Sequence, residues 1–265
     1  MSLTRQFRLV AFALVALIGM ALVLTPPAVA AASTGRPAAP THAPMQPTPP
    51  GPGVAPALAP SDAVSSTNWA GYAATGTTFS SVSASWVVPT VTCTLGNQYS
   101  SSWVGLDGFN SPTVEQTGTD SDCAAGAPTY YAWYEMYPAA SVVLGKPVAS
   151  GDQMSASVAA STATTFALTI TDATKGWTRT FTKTSSTATR TSAEVIEEAP
   201  CCTAKGAILP LANFGVINFT NAEANGQPIG NFTHQRINMV SATGVTKATT
   251  SALSIGAFSV TWHHR

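Results

Sequence analysis

Short stretches in which apolar and polar residues alternate recur along the chain, and this pattern is typical of half-buried β-strands. Turn signals such as "GNQ", "DATKG" and "ANGQP" separate the stretches, and no segment after the first 60 residues shows a helical period of 3.6. The alternation predicts an all-β domain, an antiparallel β-sandwich. The buried faces should contain Val82, Ala84, Trp86 and Val88 in one strand, Phe166, Leu168 and Ile170 in a second, and Phe258, Val260 and Trp262 in a third.

The same alternation assigns polar residues to faces, because residues two apart in a strand point the same way. In "EVIEEAP" Glu194 and Glu198 share a face, whereas Glu197 lies on the other. Three further segments, "SSWVGLDG", "TVEQTG" and "YYAWYEMYP", each present a polar or aromatic face. Together the four strands are predicted to line one concave surface with Trp103, Gly105 and Asp107, with Gln116 but not Glu115, and with Tyr131, Trp133, Glu135 and Tyr137.

Residues 1–32 have the features of a secretory signal peptide. Arg5 and Arg8 precede an apolar run that ends at Leu24, and prolines and the small residues "AVAAA" follow. The run is shorter than the roughly 20 residues of a membrane span. The mature protein is therefore expected to be extracellular, without stable membrane association after the signal is cleaved.

Residues 33–61 are rich in proline and alanine and have almost no large apolar side chains. This composition predicts an extended linker or pro-segment that is not part of a core. Residues 62–265 have the length of one all-β domain.

The charge balance excludes nucleic acid as a partner. The chain has 12 Lys and Arg and 12 Asp and Glu, and loss of Arg5 and Arg8 would leave a slightly acidic mature protein. Because carboxylates are few, few ion pairs are lost in acid, so tolerance of acid is expected. No feature of the sequence indicates an oligomer, and a monomer is expected.

Four cysteines in an exported chain indicate disulfides rather than a metal site. Sequence alone allows three pairings, of which Cys93 with Cys123 is preferred, and Cys201 and Cys202 would then be bonded to each other or reduced. The four histidines have no evident ligand partners, so neither a metal nor another cofactor is expected.

Carboxylates remain as candidates for chemistry, because the chain has no G-x-S-x-G and no H-E-x-x-H motif. Two carboxylates suggest a glycan hydrolase, or a lectin on the same sandwich. Glu194 and Glu198 lie about 13 Å apart along one strand, too far for that reaction. Glu135 and Glu198 from neighbouring strands would be suitable.

Each candidate also has a purely structural interpretation. Glu115 and Glu197 are expected on a solvated face, because glutamate is rarely fully buried. The other structural alternatives are an ion pair of Glu194 with Arg190 or Lys205, a turn role for Asp107, and core positions for Trp103 and Trp133.

The ordered blocks "NWAGY", "SWVGLDG", "VEQTG", "YYAWYEMYP", "SAEVIEEAP" and "LPLANFGVINFTNA" resemble the secreted glutamic peptidases, or eqolisins. The resemblance implies a concanavalin A-like β-sandwich, with residues 62–265 as the catalytic domain of an acid endopeptidase that cleaves polypeptides without a cofactor. It assigns the catalytic pair to Gln116 and Glu198. Its supporting residues correspond to Trp69, Trp103, Asp107, Trp133 and Glu135.

The chain departs from the family pattern in three places. Val195 and Glu197 replace the usual Trp and Val of the block "AEWIVEAP", and Cys201 and Cys202 closely follow the implied base. The Pro and Ala-rich segment is also shorter and less basic than the pro-segments of fungal members.

Overall fold

The structure, a computed structural model, describes residues 39–47, 63–201 and 207–265. The expected signal peptide, most of the Pro and Ala-rich segment, Cys202 and Lys205 lie outside the described residues. In the described part the regular secondary structure is almost entirely β-strand, with a single 3-10 turn at Ile229–Asn231. None of the helical structure described there has the length and apolarity needed to cross a membrane.

The described residues form sixteen strands. In chain order they are β1 (Ala63–Ser66), β2 (Trp69–Thr75), β3 (Ser81–Val87), β4 (Ser101–Leu106), β5 (Val114–Ala124), β6 (Ala127–Tyr137), β7 (Val142–Val143), β8 (Gln153–Ala160), β9 (Thr165–Asp172), β10 (Trp177–Thr184), β11 (Ala193–Glu198), β12 (Val216–Ala224), β13 (Gln227–Pro228), β14 (Thr233–Val240), β15 (Thr246–Thr250) and β16 (Phe258–Trp262).

Hydrogen bonds connect the strands in the order β10-β9-β8-β3-β12-β16-β15-β14-β2-β11-β4-β5-β6-β7. All ladders on this path are antiparallel, while β1 adds to β14 in parallel. The path folds back on itself, so that β3, β8 and β9 pack face to face against β4, β5 and β11. The predicted antiparallel sandwich is confirmed.

The main core lies between these two layers and contains the apolar faces predicted from alternation. Val82, Ala84 and Trp86 of β3 are buried while their neighbours are partly exposed. Strand β9 repeats this pattern with Phe166, Leu168 and Ile170, and β16 places Phe258 and Val260 in the core with Trp262 packed at its margin.

A second, smaller cluster lies on the opposite face of β2, β11, β4, β5 and β6. It includes Trp69, Trp103, Tyr131 and Trp133, whereas Val104 and Leu106 belong to the main core. These strands are therefore covered on both faces. This face of the five strands is called the groove below.

Residues 39–47 correct one expectation about the Pro and Ala-rich segment. The segment is extended, as predicted, but it packs into the domain: His42 and Ala43 are buried, and Met45 contacts the groove cluster. Backbone hydrogen bonds join Thr41 to Cys201 in both directions, and the Met45 N–H donates to the Gly108 carbonyl at 3.0 Å. Extended backbone needs hydrogen-bond partners when it is buried, and the groove supplies them.

The preferred disulfide is confirmed. Cys93 is bonded to Cys123, with their Cα atoms 5.5 Å apart, and the bond ties the loop after β3 to the end of β5. Cys201 is also disulfide-bonded, so the alternative of a reduced thiol is wrong for this residue.

Gly118 occupies a tightly packed backbone position in the groove. It pairs in register with Trp103 on one side and Trp133 on the other. A Cβ atom at this position would overlap the Ser102 carbonyl oxygen and lie 2.5 Å from the Trp103 Cβ. The absence of a side chain therefore lets Trp103 lie directly against the β5 backbone.

Gly118→Ala should lower the free energy of unfolding by about 1–3 kcal/mol, because the added methyl group meets backbone that cannot move aside. Urea unfolding measures the change. Gly145→Ala is the matched control, since no atom lies within 4 Å of its Cβ position, and its effect should stay within about 0.5 kcal/mol. Equal stability of the two variants would contradict this packing account.

Candidate active site

Three rows of residues cross β11, β4, β5 and β6 in register and form the floor of the groove. The register aligns Glu198, Ser101, Asp120 and Tyr131 in one row, Ile196, Trp103, Gly118 and Trp133 in the next, and Glu194, Gly105, Gln116 and Glu135 in the third. The four strands that sequence analysis predicted to share one surface are therefore consecutive neighbours. Glu198 and Gln116 lie on the same face.

Glu198 is fully buried beneath residues 39–47. Its Oε2 accepts a hydrogen bond from Trp103 Nε1 at 2.9 Å, and its Oε1 lies 3.4 Å from Asn68 Nδ2. Burial raises the pKa of Glu198 to about 8, an effect that the charge of His42 partly opposes and that of Glu135 reinforces. With residues 39–47 in the groove, the Glu198 carboxyl is therefore neutral in acid solution.

Gln116 presents both ends of its amide to the groove. Its Nε2 donates to the His42 carbonyl oxygen at 2.6 Å and to Glu135 Oε2 at 3.1 Å. Its buried Oε1 has no hydrogen-bond partner among the described residues. The amide can therefore donate to a carbonyl and still accept from another donor.

The indoles of the groove contact its other functional groups. Trp69 packs edge to face on Trp103, with ring centroids 5.0 Å apart, and its Nε1 donates to the Ala43 carbonyl at 3.1 Å. Trp133 stacks on the His42 imidazole at 3.6 Å with an interplanar angle of 2°. Trp103 and Trp133 are buried, as a structural role requires, but in the groove cluster rather than the main core.

Asp107 organises a loop and not its own turn. Its two carboxylate oxygens accept hydrogen bonds from the backbone N–H groups of Thr189, Arg190 and Thr191 and from both threonine hydroxyls. This loop leads directly into β11. Asp107 therefore fixes the start of the strand that ends at Glu198. Its backbone does turn at the end of β4, with φ 71°, but its side chain bonds residues 189–191, so the alternative of a turn residue that bonds its own backbone is wrong.

Glu115 and Glu197 contradict the expectation of a solvated face, because both are fully buried. Glu197 points into the sandwich on the same side as Val195, and Ser102 Oγ donates to its Oε2 at 2.6 Å. Burial raises the pKa of each carboxyl to about 8. The expectation failed because β11, β4 and β5 are central strands whose two faces are both covered.

Glu194 is also buried and forms no ion pair within the part of the chain that the structure describes. The expected partner Arg190 instead donates its backbone N–H to Asp107. Burial, reinforced by the charges of Asp107 and Glu115, raises the pKa of Glu194 well above its usual range. Glu194 therefore belongs to the buried acids rather than to the surface ion pairs.

A glycan-hydrolysing pair required Glu135 and Glu198 to lie on neighbouring strands, and this expectation is wrong. Glu135 and Glu198 are not on neighbouring strands, because β4 and β5 lie between β11 and β6. They also differ by four positions along the strands, since Glu198 is in register with Tyr131 of β6. Glu135 instead lies beside Gln116.

Sequence analysis missed three residues of the site. Asp120 Oδ1 lies 3.1 Å from His42 Nε2 and accepts from Ser101 Oγ at 2.6 Å. Alternation extended from Gln116 to Asp120 would have identified it. Asn68 could have been identified because it lies beside Trp69 in the first motif block. The proline-rich sequence around His42 contains no motif that indicates a role for this residue. Within the described ranges, no group of three or more His, Cys, Asp or Glu could hold a metal ion.

Sequence comparisons identify known proteins that this chain resembles. A model of the Peptidase A4 family matches residues 67–262. Scytalidopepsin B from Scytalidium lignicola is 34% identical over 170 residues, and the match covers 60% of this chain and 64% of that protein. Aspergillopepsin-2 from Aspergillus niger is 29% identical over 191 residues, and the match covers 62% of this chain and 67% of that protein. The chain thus spans about two thirds of the length of each of these relatives.

Solved structures of similar proteins have the same fold. Scytalido-glutamic peptidase with a transition state analog inhibitor superposes with a TM-score of 0.66 and 26% identity, covering 74% of this chain and 98% of that one. SCP-B, a member of the Eqolisin family, in a complex with the tripeptide Ala-Ile-His, gives a TM-score of 0.62 at 25% identity with the same coverage.

The buried acids predict that stability falls as pH rises from about 4.5 to about 8. In this window Glu115, Glu197 and Glu198 keep their protons in the fold but lose them on unfolding. The unfolded state then binds fewer protons, and the free energy of unfolding decreases with pH. Melting temperatures measured between pH 4 and pH 8.5 test the trend.

Glu197→Gln is the control for this prediction, because an amide has a similar shape and does not titrate. Its melting temperature should decline less steeply over the same interval. A melting temperature of the unmodified protein that stays constant or rises from pH 4.5 to pH 8 would contradict the role of the buried carboxyls.

Proposed function

Since this chain belongs to the Peptidase A4 family, we propose that it is a secreted acid endopeptidase that hydrolyses polypeptides through Gln116 and Glu198. One observation carries the proposal. An extended peptide segment, residues 39–47, lies across the groove with the His42 carbonyl on Gln116 and the Ala43 carbonyl on residues that adjoin Glu198.

The contacts of Asn68 support the pairing of the two side chains. Asn68 Nδ2 lies 3.3 Å from the Ala43 carbonyl oxygen and 3.4 Å from Glu198 Oε1. Gln116 contacts the carbonyl of the preceding residue, His42. The amide and the acid thus lie at consecutive residues of one extended peptide, as a base and an oxyanion donor for a single peptide bond require.

In the proposed reaction Glu198 takes a proton from a water molecule, and the water oxygen adds to the carbonyl carbon of the substrate. The Gln116 N–H group stabilises the developing oxyanion, and its free Oε1 orients the water. Glu198 then returns the proton to the departing amine as the C–N bond breaks. An amide stays neutral at any working pH, so Glu198 does not share its proton with a second acid as in aspartic proteases.

Work in acid requires Glu198 to be ionised there, and removal of residues 39–47 provides this. Burial is the largest cause of the raised pKa of Glu198. When water enters the groove, the pKa shifts toward its ordinary value of 4.5. At pH 4 about a quarter of the Glu198 carboxyl is then ionised, and this fraction can act as a base.

Two further observations support the substrate class and the setting. SCP-B, a solved relative, binds the tripeptide Ala-Ile-His, and the groove of this chain holds a peptide of its own. The disulfide between Cys93 and Cys123 is typical of an oxidising compartment. Together with the predicted signal peptide, it supports an extracellular enzyme.

Glu198→Gln and Gln116→Ala should each lower the cleavage of casein at pH 3–4 by at least about a hundredfold, because the first removes the base and the second the oxyanion donor. Peptide release measures the rate, and circular dichroism checks that the fold is intact. Pepstatin should have little effect on the unmodified protein.

Glu197→Gln is the matched control, because it makes the same chemical change one residue away on the face turned to the core. It should retain most of the activity. Full proteolysis by either Glu198→Gln or Gln116→Ala would show that the assigned pair is wrong.

A further inference from the structure

A cavity of about 580 Å³ lies beside β14 and β2. Arg236 and His234 of β14, Tyr72 of β2 and Leu253 of the loop between β15 and β16 are among the residues that line it. In the ladder Arg236 pairs with Tyr72 and His234 with Ala74, and both partners belong to the main core. Since paired residues point to the same side of a sheet, Arg236 and His234 point to the side opposite the groove floor.

Arg236 carries a charge that no residue in the described part of the chain neutralises. Its side chain is half-buried, it forms no ion pair with a described residue, and its buried Nε has no hydrogen-bond partner among them. An arginine on a strand ordinarily keeps its N–H groups in water or on a carboxylate. Partial removal of a guanidinium from water without an opposite charge costs free energy. A bound anion would offset this cost.

His234 supplies a second polar group on the same side of β14. Its Nδ1–H donates to the Phe232 carbonyl oxygen at 2.8 Å, and its ring packs edge to face on Tyr72 with centroids 5.6 Å apart. These contacts fix the ring and leave Nε2 for a ligand. When the ring is protonated, this nitrogen donates to an anion.

The walls of the cavity are formed by the protein before a ligand binds. The Tyr72 hydroxyl donates to the Ser251 carbonyl oxygen at 2.9 Å, which holds the loop that carries Leu253 next to β2. Aromatic and aliphatic side chains therefore surround Arg236, and none of the described residues that line the cavity is acidic. The volume lies within the range of roughly 300–1,000 Å³ that is typical of small-molecule sites. It exceeds what an inorganic anion needs.

We propose that this cavity binds a small organic carboxylate, with Arg236 and His234 on the carboxylate and Tyr72 and Leu253 against the apolar body of the ligand. The planar guanidinium matches the two oxygens of a carboxylate. One permanent cation balances one negative charge, which a carboxylate carries, whereas a phosphate monoester carries up to about two. The inference goes beyond the proposed peptidase function and does not depend on it, because these residues lie outside the groove.

The first experiment measures binding to the full chain at about pH 5.5, where a carboxylate probe is mostly ionised. Phenylacetate is titrated at constant ionic strength, beside its neutral analogue phenylacetamide and inorganic sulfate. Phenylacetate should bind saturably and raise the melting temperature by about 3–5 °C at ten times its Kd. Phenylacetamide lacks the charge and sulfate lacks the apolar body, so each should bind at least about tenfold more weakly.

The second experiment locates the site with variants. Arg236→Met keeps the length of the side chain without its charge and should weaken phenylacetate binding at least about tenfold. Without ligand its melting temperature should be unchanged or higher, because a partly buried, unpaired charge is removed. Arg179→Met is the matched control, since Arg179 is exposed on β10 and bonds the Thr178 carbonyl. It should bind phenylacetate normally.

Ala252→Phe tests the cavity with Arg236 still in place. Ala252 is an exposed residue of the cavity wall, and a phenyl ring there should occupy the space of the ligand and weaken binding at least about tenfold. Gln116→Ala should bind phenylacetate like the unmodified protein, because Gln116 lies in the groove.

Several results would overturn the inference: the absence of saturable phenylacetate binding, equal binding of sulfate, loss of binding in Gln116→Ala, or full binding by either Arg236→Met or Ala252→Phe. A lower melting temperature of Arg236→Met with unchanged binding would assign this residue a structural role instead. Casein digestion by Arg236→Met should equal that of the unmodified protein. The binding site and the peptidase function therefore stand or fall separately.

Discussion

Strand β11 is hydrogen-bonded along its whole length on both sides, to β2 and to β4, and the position of Glu198 in the groove depends on that register. Alternate residues of this strand face opposite sides. Val195 and Glu197 face the main core, whereas Ile196 and Glu198 face the groove. A slip of one residue would exchange the two adjacent glutamates. The loop clamped by Asp107 at the start of β11 opposes such a slip.

Burial on both faces gives this part of the protein its unusual electrostatics. Glu115, Glu194, Glu197 and Glu198 lie in a low-dielectric interior where the charged form is penalised, and the pKa of each is raised. The sequence suggested acid tolerance because carboxylates are few. The structure gives a different reason, since the carboxyls that matter are stable in the fold mainly as neutral acids.

Local alternation sufficed to predict which residues share a face, and hence the surface that brings Gln116, Trp133 and Glu135 together. It did not predict the order of strands, which is why Glu135 was wrongly placed on a neighbour of β11. Nor did it distinguish a strand with one solvated face from a central strand covered on both, and Glu115 and Glu197 were misplaced for that reason. The position of residues 39–47 depends on contacts with residues far away in sequence, such as that of His42 with Gln116, 74 positions later. The proline-rich composition of the segment cannot predict such contacts.

The extended course of residues 39–47 limits what the groove can accept. From Thr41 to Pro47 the segment has seven residues, which span about 20 Å at strand spacing. Several of its backbone groups are hydrogen-bonded by residues of the domain such as Gly108, Glu135 and Asn68. A helix or a tight loop on an intact globular protein cannot present such a length of open backbone. Under the proposed function, a native protein should therefore resist cleavage until it unfolds. Acid solution would then have two effects, because it unfolds the substrate and also provides the conditions in which the enzyme works.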